Sequence, residues 1–197
     1  MVLGDAYLQK TGELNARLRF EHRSDHAKYL VWKTHLLPQL FQGKPTFLKR
    51  VHPQTHRTYS YVRQQSNAGP YLGKIRKLFY PDGKKKIPQS LAKWLKSDIG
   101  FAIWFYDDGY YFARDRAFYL YLGTVSFEEA EIVHKALQKN FNLQNTILNK
   151  GKKGFAIYFP VSEQTKVVGI LSKYPVPVMA YKVPELLLDP VTTRHST

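Results

Sequence analysis

The chain repeats itself, and this constrains its fold more than any other feature. "FYPDGKKKIPQSL" (79–91) is echoed by "KYPVPVMAYKVPELL" (173–187): Tyr80-Pro81 precedes Lys86-Ile87-Pro88, and Tyr174-Pro175 precedes Lys182-Val183-Pro184. "LGDAY" (3–7) is echoed by "YDDGY" (106–110), each an acid beside a small residue and then a tyrosine. The acid stands 81 residues before Lys-x-Pro in the first half and 74 in the second. Each phrase alone is weak, but recurrence in one order points to a diverged duplication. The 197 residues then divide into a first repeat, 1–96, a second, 97–184, and a C-terminal tail, 185–197.

Within each repeat, strand pairs alternate with helices, which reads as α+β. In "LNARLRFE" Leu14, Ala16, Leu18 and Phe20 take one strand face, and Asn15, Arg17, Arg19 and Glu21 the other. Arg57, Tyr59, Tyr61 and Arg63 share a face of the next strand, with "TFLKRV" as its hairpin partner. "YYFARDR" with "AFYLYL", and "NTILNK" with "GFAIYF", read as two more hairpins. Helices are predicted over Asp25 to Phe41, with Ser24 as N-cap, over Ser126 to Phe141, and over Val161 to Tyr174 starting at Ser162. The second opens with a capping box, Ser126 and Glu129.

Charge narrows the partner. Thirty Lys and Arg against fifteen Asp and Glu give +15, a bias toward polyanions. The excess is uneven: residues 1–96 hold 19 basic and 5 acidic side chains, residues 97–197 hold 11 and 10. With no cysteine, disulfides and thiolate metal sites are excluded. No apolar run reaches the ~18 residues of a membrane span, and "MVLGDAYLQK" lacks the pattern of a secretory signal or transit peptide. No membrane partner is expected.

Asp5 and Asp108 are therefore the anomaly. A pseudo-twofold axis between repeats would bring equivalent residues together, and two close carboxylates repel each other and DNA. A divalent cation such as Mg²⁺ or Mn²⁺ makes such acids tolerable and can activate water against a phosphodiester. A lysine from each half would add positive charge. His22/His26 and His52/His56 also show zinc-like spacing, but the second pair brackets Pro53 in a turn, and no glutamate follows either first histidine.

"VLGDAYL" and "FAIWFYDDG" resemble the two motifs of the LAGLIDADG homing endonucleases, in the monomeric double-motif branch that includes the omega-intron endonuclease. "RFEHRSDHAKYL", "KKKIPQSLAKWL", "GTVSFEEAEIV" and "MAYKVP" extend the resemblance from residue 2 to about 184. It implies two αββαββα repeats, motif helices packed at the centre, and strands forming a saddle on successive major grooves. It implies metal binding by Asp5 and Asp108, backbone carbonyls of Gly4 and Asp107 near the metal, and active-site lysines at Lys182 and at Lys85 or Lys86. The implied product is a double-strand break with short 3′ overhangs at a long, asymmetric target. An intron-encoded origin, in an organelle or a bacterium, is implied with it. The alternative on the same scaffold is an RNA-binding maturase that helps intron RNA fold. In the family about two further helical turns precede the first Gly-Asp, whereas here four residues precede Asp5, so either the first motif helix is short or the reading frame normally continues upstream.

The DNA-facing candidates are the polar strand positions and their turns. They are Asn15, Arg17 and Arg19; Arg57, Tyr59 and Arg63; Arg114 and Arg116; and Asn149 and Lys150. Arginine can read guanine bidentately, and residues 1–96 are expected to supply most of the phosphate affinity.

Overall fold

The computed structural model describes residues 1–184, and the expected tail at 185–197 lies outside them. The chain forms two compact units, one of Met1–Ser90 and one from Leu91 onward. In the first unit, strands β1 (Tyr7–Lys10), β2 (Ala16–Arg23), β3 (Thr46–Val51) and β4 (Thr58–Gln65) pair antiparallel in the order β1-β2-β4-β3. In the second, β5 (Gly109–Phe112), β6 (Ala117–Gly123), β7 (Thr146–Asn149) and β8 (Phe155–Phe159) pair in the order β5-β6-β8-β7. The fold is α+β, and the duplication is visible in the register. Tyr7, two residues after Asp5, lies opposite Arg19, and Tyr110, two residues after Asp108, lies opposite Tyr119.

Alternation places the first core. Ala16, Leu18 and Phe20 of β2 are buried with Leu8 and Val62, under Leu30, Phe41 and Leu72 from outside the sheet. Leu14 departs from this pattern. The strand begins only at Ala16, and Leu14 is 59% exposed in the preceding turn. Helix α1 (Ala27–His35) is shorter than predicted at both ends: Ser24–His26 is a 3-10 turn without a side-chain cap, and the chain leaves the helix after His35. Pro38 explains the second end, because it lacks an amide donor and its ring opposes the preceding helical turn. The buried face of α1 is Tyr29, Leu30, Lys33 and Thr34. The Lys33 ammonium lies 4.4 Å from the Tyr29 ring centre and 4.8 Å from that of Phe20, a cation–π arrangement suited to a buried charge. Helix α2 (Pro70–Phe79) starts on a proline, whose missing donor costs nothing in the first turn.

In the second unit, the short helix α3 (Leu91–Trp94) is tied by Asn140, whose side-chain amide donates to Ala92 O and Leu95 O. Helix α4 (Asp98–Asp108) is capped by Ser97 and buries Phe101 through Tyr106 without interruption. A helix apolar all round must be enclosed. Phe101 meets Phe141 at 5.4 Å and Phe159 at 6.1 Å, and Phe105 meets Phe118 at 5.5 Å. Helix α5 (Phe127–Phe141) has the predicted capping box and ends on left-handed Asn142. Helix α6 (Gln164–Leu171) is preceded by a 3-10 turn at Val161–Glu163, so it starts later and ends earlier than predicted. No helix of the described residues is long and apolar enough to cross a membrane.

Candidate metal centre and nucleic-acid interface

An acid at the C-terminus of a helix opposes the helix dipole, whose negative end is there, and the last carbonyls have no partner within the helix. Asp107 and Asp108 end α4 in this position. Lys182, in the 3-10 turn Pro177–Lys182 and only 9% exposed, supplies the compensation. Its ammonium donates to Tyr106 O at 2.6 Å and Asp107 O at 2.9 Å. Tyr106 also ties α4 to the end of α6, its hydroxyl proton shared between Leu171 O (3.2 Å) and Tyr174 O (3.1 Å). Burial pushes that phenol up to about 12. Gly109 follows because the chain turns into β5 across the Phe105 ring, which a Cβ would meet at 2.5 Å.

The first unit repeats this arrangement on a turn instead of a helix. Residues before Asp5 are held by Gly4 N donating to Met1 O (3.1 Å), and no helix forms there. Lys85 donates to Leu3 O at 2.9 Å and Gly4 O at 2.6 Å. Thus in each unit a lysine binds the carbonyls of the two residues before the acid. Lys86, the alternative on the sequence, instead pairs with Asp82 at 2.7 Å. The Asp5 side chain is 43% exposed, and its Oδ2 lies 3.5 Å from Nδ1 of buried His22. His22 belongs to β2 and His26 to a 3-10 turn. His52 accepts from the amides of Gln54 and Thr55 in the β3–β4 loop. The zinc-like spacings therefore do not describe two helical pairs.

The donors available at each acid are a carboxylate and backbone oxygens. These hard ligands suit Mg²⁺, Mn²⁺ or Ca²⁺. The carbonyls of Gly4 and Asp107 already accept from lysine, and each keeps a second lone pair. On this chemistry the residues fit a divalent cation.

Strand pairing fixes which candidate residues share a surface, since opposite residues point to one side of a sheet. On the first sheet, Arg17, Arg19 and Glu21 of β2 stand with Tyr59, Tyr61 and Arg63 of β4, opposite the core face. Arg50 of β3, opposite Tyr59, joins them and was not singled out in the sequence. Its signal was the period of two that sets Arg50 on one face with Thr46 and Leu48 in "TFLKRV". Glu21 gathers three guanidiniums: Arg50 at 2.6 Å, Arg63 at 2.8 Å and Arg19 at 3.0 Å. Burial alone raises its carboxyl, but bonds from Arg50, Arg19 and Arg63 outweigh this and bring it down to about 2.

The remaining candidates lie at turns. Asn15 is exposed before β2, and Arg57 is exposed just before β4. Arg114 and Arg116 are exposed in the β5–β6 turn, where Arg114 pairs with Asp115 at 2.9 Å and Arg116 takes φ 51°. Asn149 caps the β7–β8 turn by accepting from Gly151 N at 2.8 Å. The Lys150 ammonium lies 5.3 Å from the centre of the Tyr119 ring.

Comparison with known proteins bears on the fold and the family. A probable intron-encoded DNA endonuclease 3 of Mycosarcoma maydis is 26% identical over 91 residues, which is 46% of this chain. The match spans 66% of that relative, just under two thirds of its length. The homing endonuclease I-WcaI, solved bound to its DNA recognition sequence, shares the fold with a TM-score of 0.82 at 24% identity, over 93% of this chain and 82% of that one. I-DmoI in complex with DNA and Ca has a TM-score of 0.53 at 16% identity, over 91% of each chain. The description "LAGLIDADG DNA endonuclease family" matches residues 1–167. The chain belongs to the LAGLIDADG DNA endonuclease family.

Proposed function

We propose that the chain is a metal-dependent, sequence-specific endonuclease of double-stranded DNA. It would act as a single chain on a long asymmetric target and leave short 3′ overhangs. One observation carries this reading: in both units a lysine holds the two carbonyls preceding an acid. A protein that only bound nucleic acid would gain nothing from that acid, which opposes a helix dipole in one unit and repels phosphate in both.

Asp5 and Asp108 would hold the cation by their side chains, with Mg²⁺ the proposed ion and Mn²⁺ a substitute. When bound, such an ion neutralises phosphate charge and makes water a stronger nucleophile near neutral pH. Lys85 and Lys182 would act on the protein side, fixing the backbone before each acid. They would also supply positive charge beside each acid, where charge develops on phosphate oxygens. Gly4 and Asp107 contribute through their backbone. His22 would orient the Asp5 carboxylate.

The test is cleavage of a randomised duplex library with Mg²⁺, beside Asp5→Asn and Asp108→Asn. The expected result is enriched cut products with mapped 3′ overhangs, lost in both variants. Equal cutting by all three proteins would remove these acids from the metal site. Tight binding of structured intron RNA with no DNA cut would replace the reading with that of a maturase.

A further inference from the structure

The two sheets have the same register but opposite chemistry on their outer faces. Counting from the acid and following the pairing, Arg19 corresponds to Tyr119, Glu21 to Tyr121, and Gln65 to Tyr158. Arg17 and Arg63 likewise correspond to Ala117 and Ala156. The first face is a set of guanidiniums fanned around one carboxylate. Arg17 Nε and Gln9 Oε1, opposite each other in the β1–β2 register, are buried polar atoms without a hydrogen bond, as in a surface that awaits a polar ligand.

The second face carries no charged side chain on its strands. Tyr110 stacks on Tyr119 at 5.0 Å and on Tyr121 at 5.4 Å, with ring planes within 13° of parallel in both cases. Tyr158 packs on Tyr119 at 5.3 Å, and Tyr121 donates to the Tyr110 hydroxyl at 3.4 Å. Tyr119 is covered, whereas Tyr110, Tyr121, Tyr158, Phe112 and Leu148 stay partly exposed. The strand side chains of this surface are neutral, offering ring edges, an aliphatic side chain and phenol hydroxyls. Cations reach it only from the turns: the Arg114 guanidinium lies 5.1 Å from the centre of the Phe112 ring and the Lys150 ammonium 5.3 Å from that of Tyr119.

We propose that the two sheets read chemically different halves of the DNA target. The arginine face would take a guanine-bearing half, and the tyrosine face a half rich in A·T pairs, read by contact with thymine methyls. The inference rests on the endonuclease reading. In the major groove only guanine offers the paired N7 and O6 acceptors that match a guanidinium, and only thymine offers a methyl group. Strands without a guanidinium cannot form that bidentate contact, and their rings and Leu148 suit the second. Phosphate affinity would follow the same division, because charged strands release more counterions than neutral ones.

The test uses the full chain with Ca²⁺ and a randomised duplex library, followed by binding to the selected duplex with modified bases. Replacing guanine by 7-deazaguanine, which lacks N7, should weaken binding about tenfold per contacted base in one half only. Replacing thymine by deoxyuridine, which lacks the methyl, should weaken it about threefold per base in the other half only. Arg19→Ala should relax base preference in the guanine half alone, and Tyr121→Ala in the A·T half alone. The modified-base arm uses the unaltered protein and does not depend on the folding of any variant. Guanine preference in both halves, or deoxyuridine without effect, overturns the inference while leaving the endonuclease reading intact. Failure to enrich any duplex removes the endonuclease reading itself, and this inference with it.

Discussion

Replacing Lys182 by methionine keeps the length of the side chain and removes its two hydrogen bonds to Tyr106 O and Asp107 O. Both are charge-assisted, and the lysine is 9% exposed, so water cannot fully replace it. Leaving a buried acceptor unpaired costs about 1–3 kcal/mol, and part of that is recovered where Asp107 reaches solvent. The sum for Lys182→Met is about 2–4 kcal/mol. For a chain of this size that lowers the thermal midpoint by roughly 4–16 °C. Lys85→Met removes the matching pair of bonds, but from a more exposed turn, and should cost roughly half as much. Lys86→Met removes an exposed pairing with Asp82, worth at most about 1 kcal/mol, and should lower the midpoint less than Lys182→Met does. Calorimetry or thermal circular dichroism on the three variants, without DNA or metal, gives the ranking. If Lys182→Met melts with Lys86→Met, the lysine does not hold the turn that carries the acid, and the reasoning fails.

Phe101→Ala should cost about 3–5 kcal/mol in urea unfolding, because Phe101 is fully buried against Phe141 and Phe159, and α4 has no solvated face to collapse onto. Mg²⁺ or Mn²⁺ should raise the thermal midpoint without DNA, as a ligand at 100 times its Kd adds about 2.7 kcal/mol, and Asp5→Asn or Asp108→Asn should reduce that gain. An equal gain in both variants would place the ion elsewhere. Glu21 has its carboxyl depressed to about 2, so its contribution is full above the ordinary carboxylate range and is lost as pH falls from about 4.5 toward 2. Discounted for solvent screening, this is about 1–2 kcal/mol, and Glu21→Gln should flatten the acid limb of urea midpoints by that amount. A variant with an unchanged acid limb would show that the three arginines do not stabilise the charge.

What was legible in the sequence follows from how local the physics is. The β2 alternation and the α5 capping box use neighbours within a few residues, and both appear as read except at Leu14, which precedes the strand. The limits of α1 and α6 depended on 3-10 turns, which have no periodic signal of their own. "GKKK" left Lys85 and Lys86 as alternatives on an irregular loop, with Gly83 at φ 84°, and only the loop's path decides that Lys85 reaches the Gly4 carbonyl. The proximity of His22 to Asp5 was illegible for a similar reason, since it is set by how β2 passes the first turn. Alternation identified the two faces of β2 and β4. The tyrosine face of the second sheet carries no charge on its strands, and so nothing in the sequence marked it as an interface.

The lysine–carbonyl bonds also have a consequence for how the protein is made. Lys85 closes onto Gly4 across 81 residues, and Lys182 closes onto Asp107 across 75. Each lysine sits near the end of its own unit, so during synthesis it leaves the ribosome after nearly everything else in that unit. The backbone before each acid therefore takes its final form only when the unit is complete. Because domains fold from the N-terminus as the chain emerges, the Asp5 turn can close before Lys182 has been added to the chain. A nascent chain interrupted within either unit would carry the acid without the lysine that holds it.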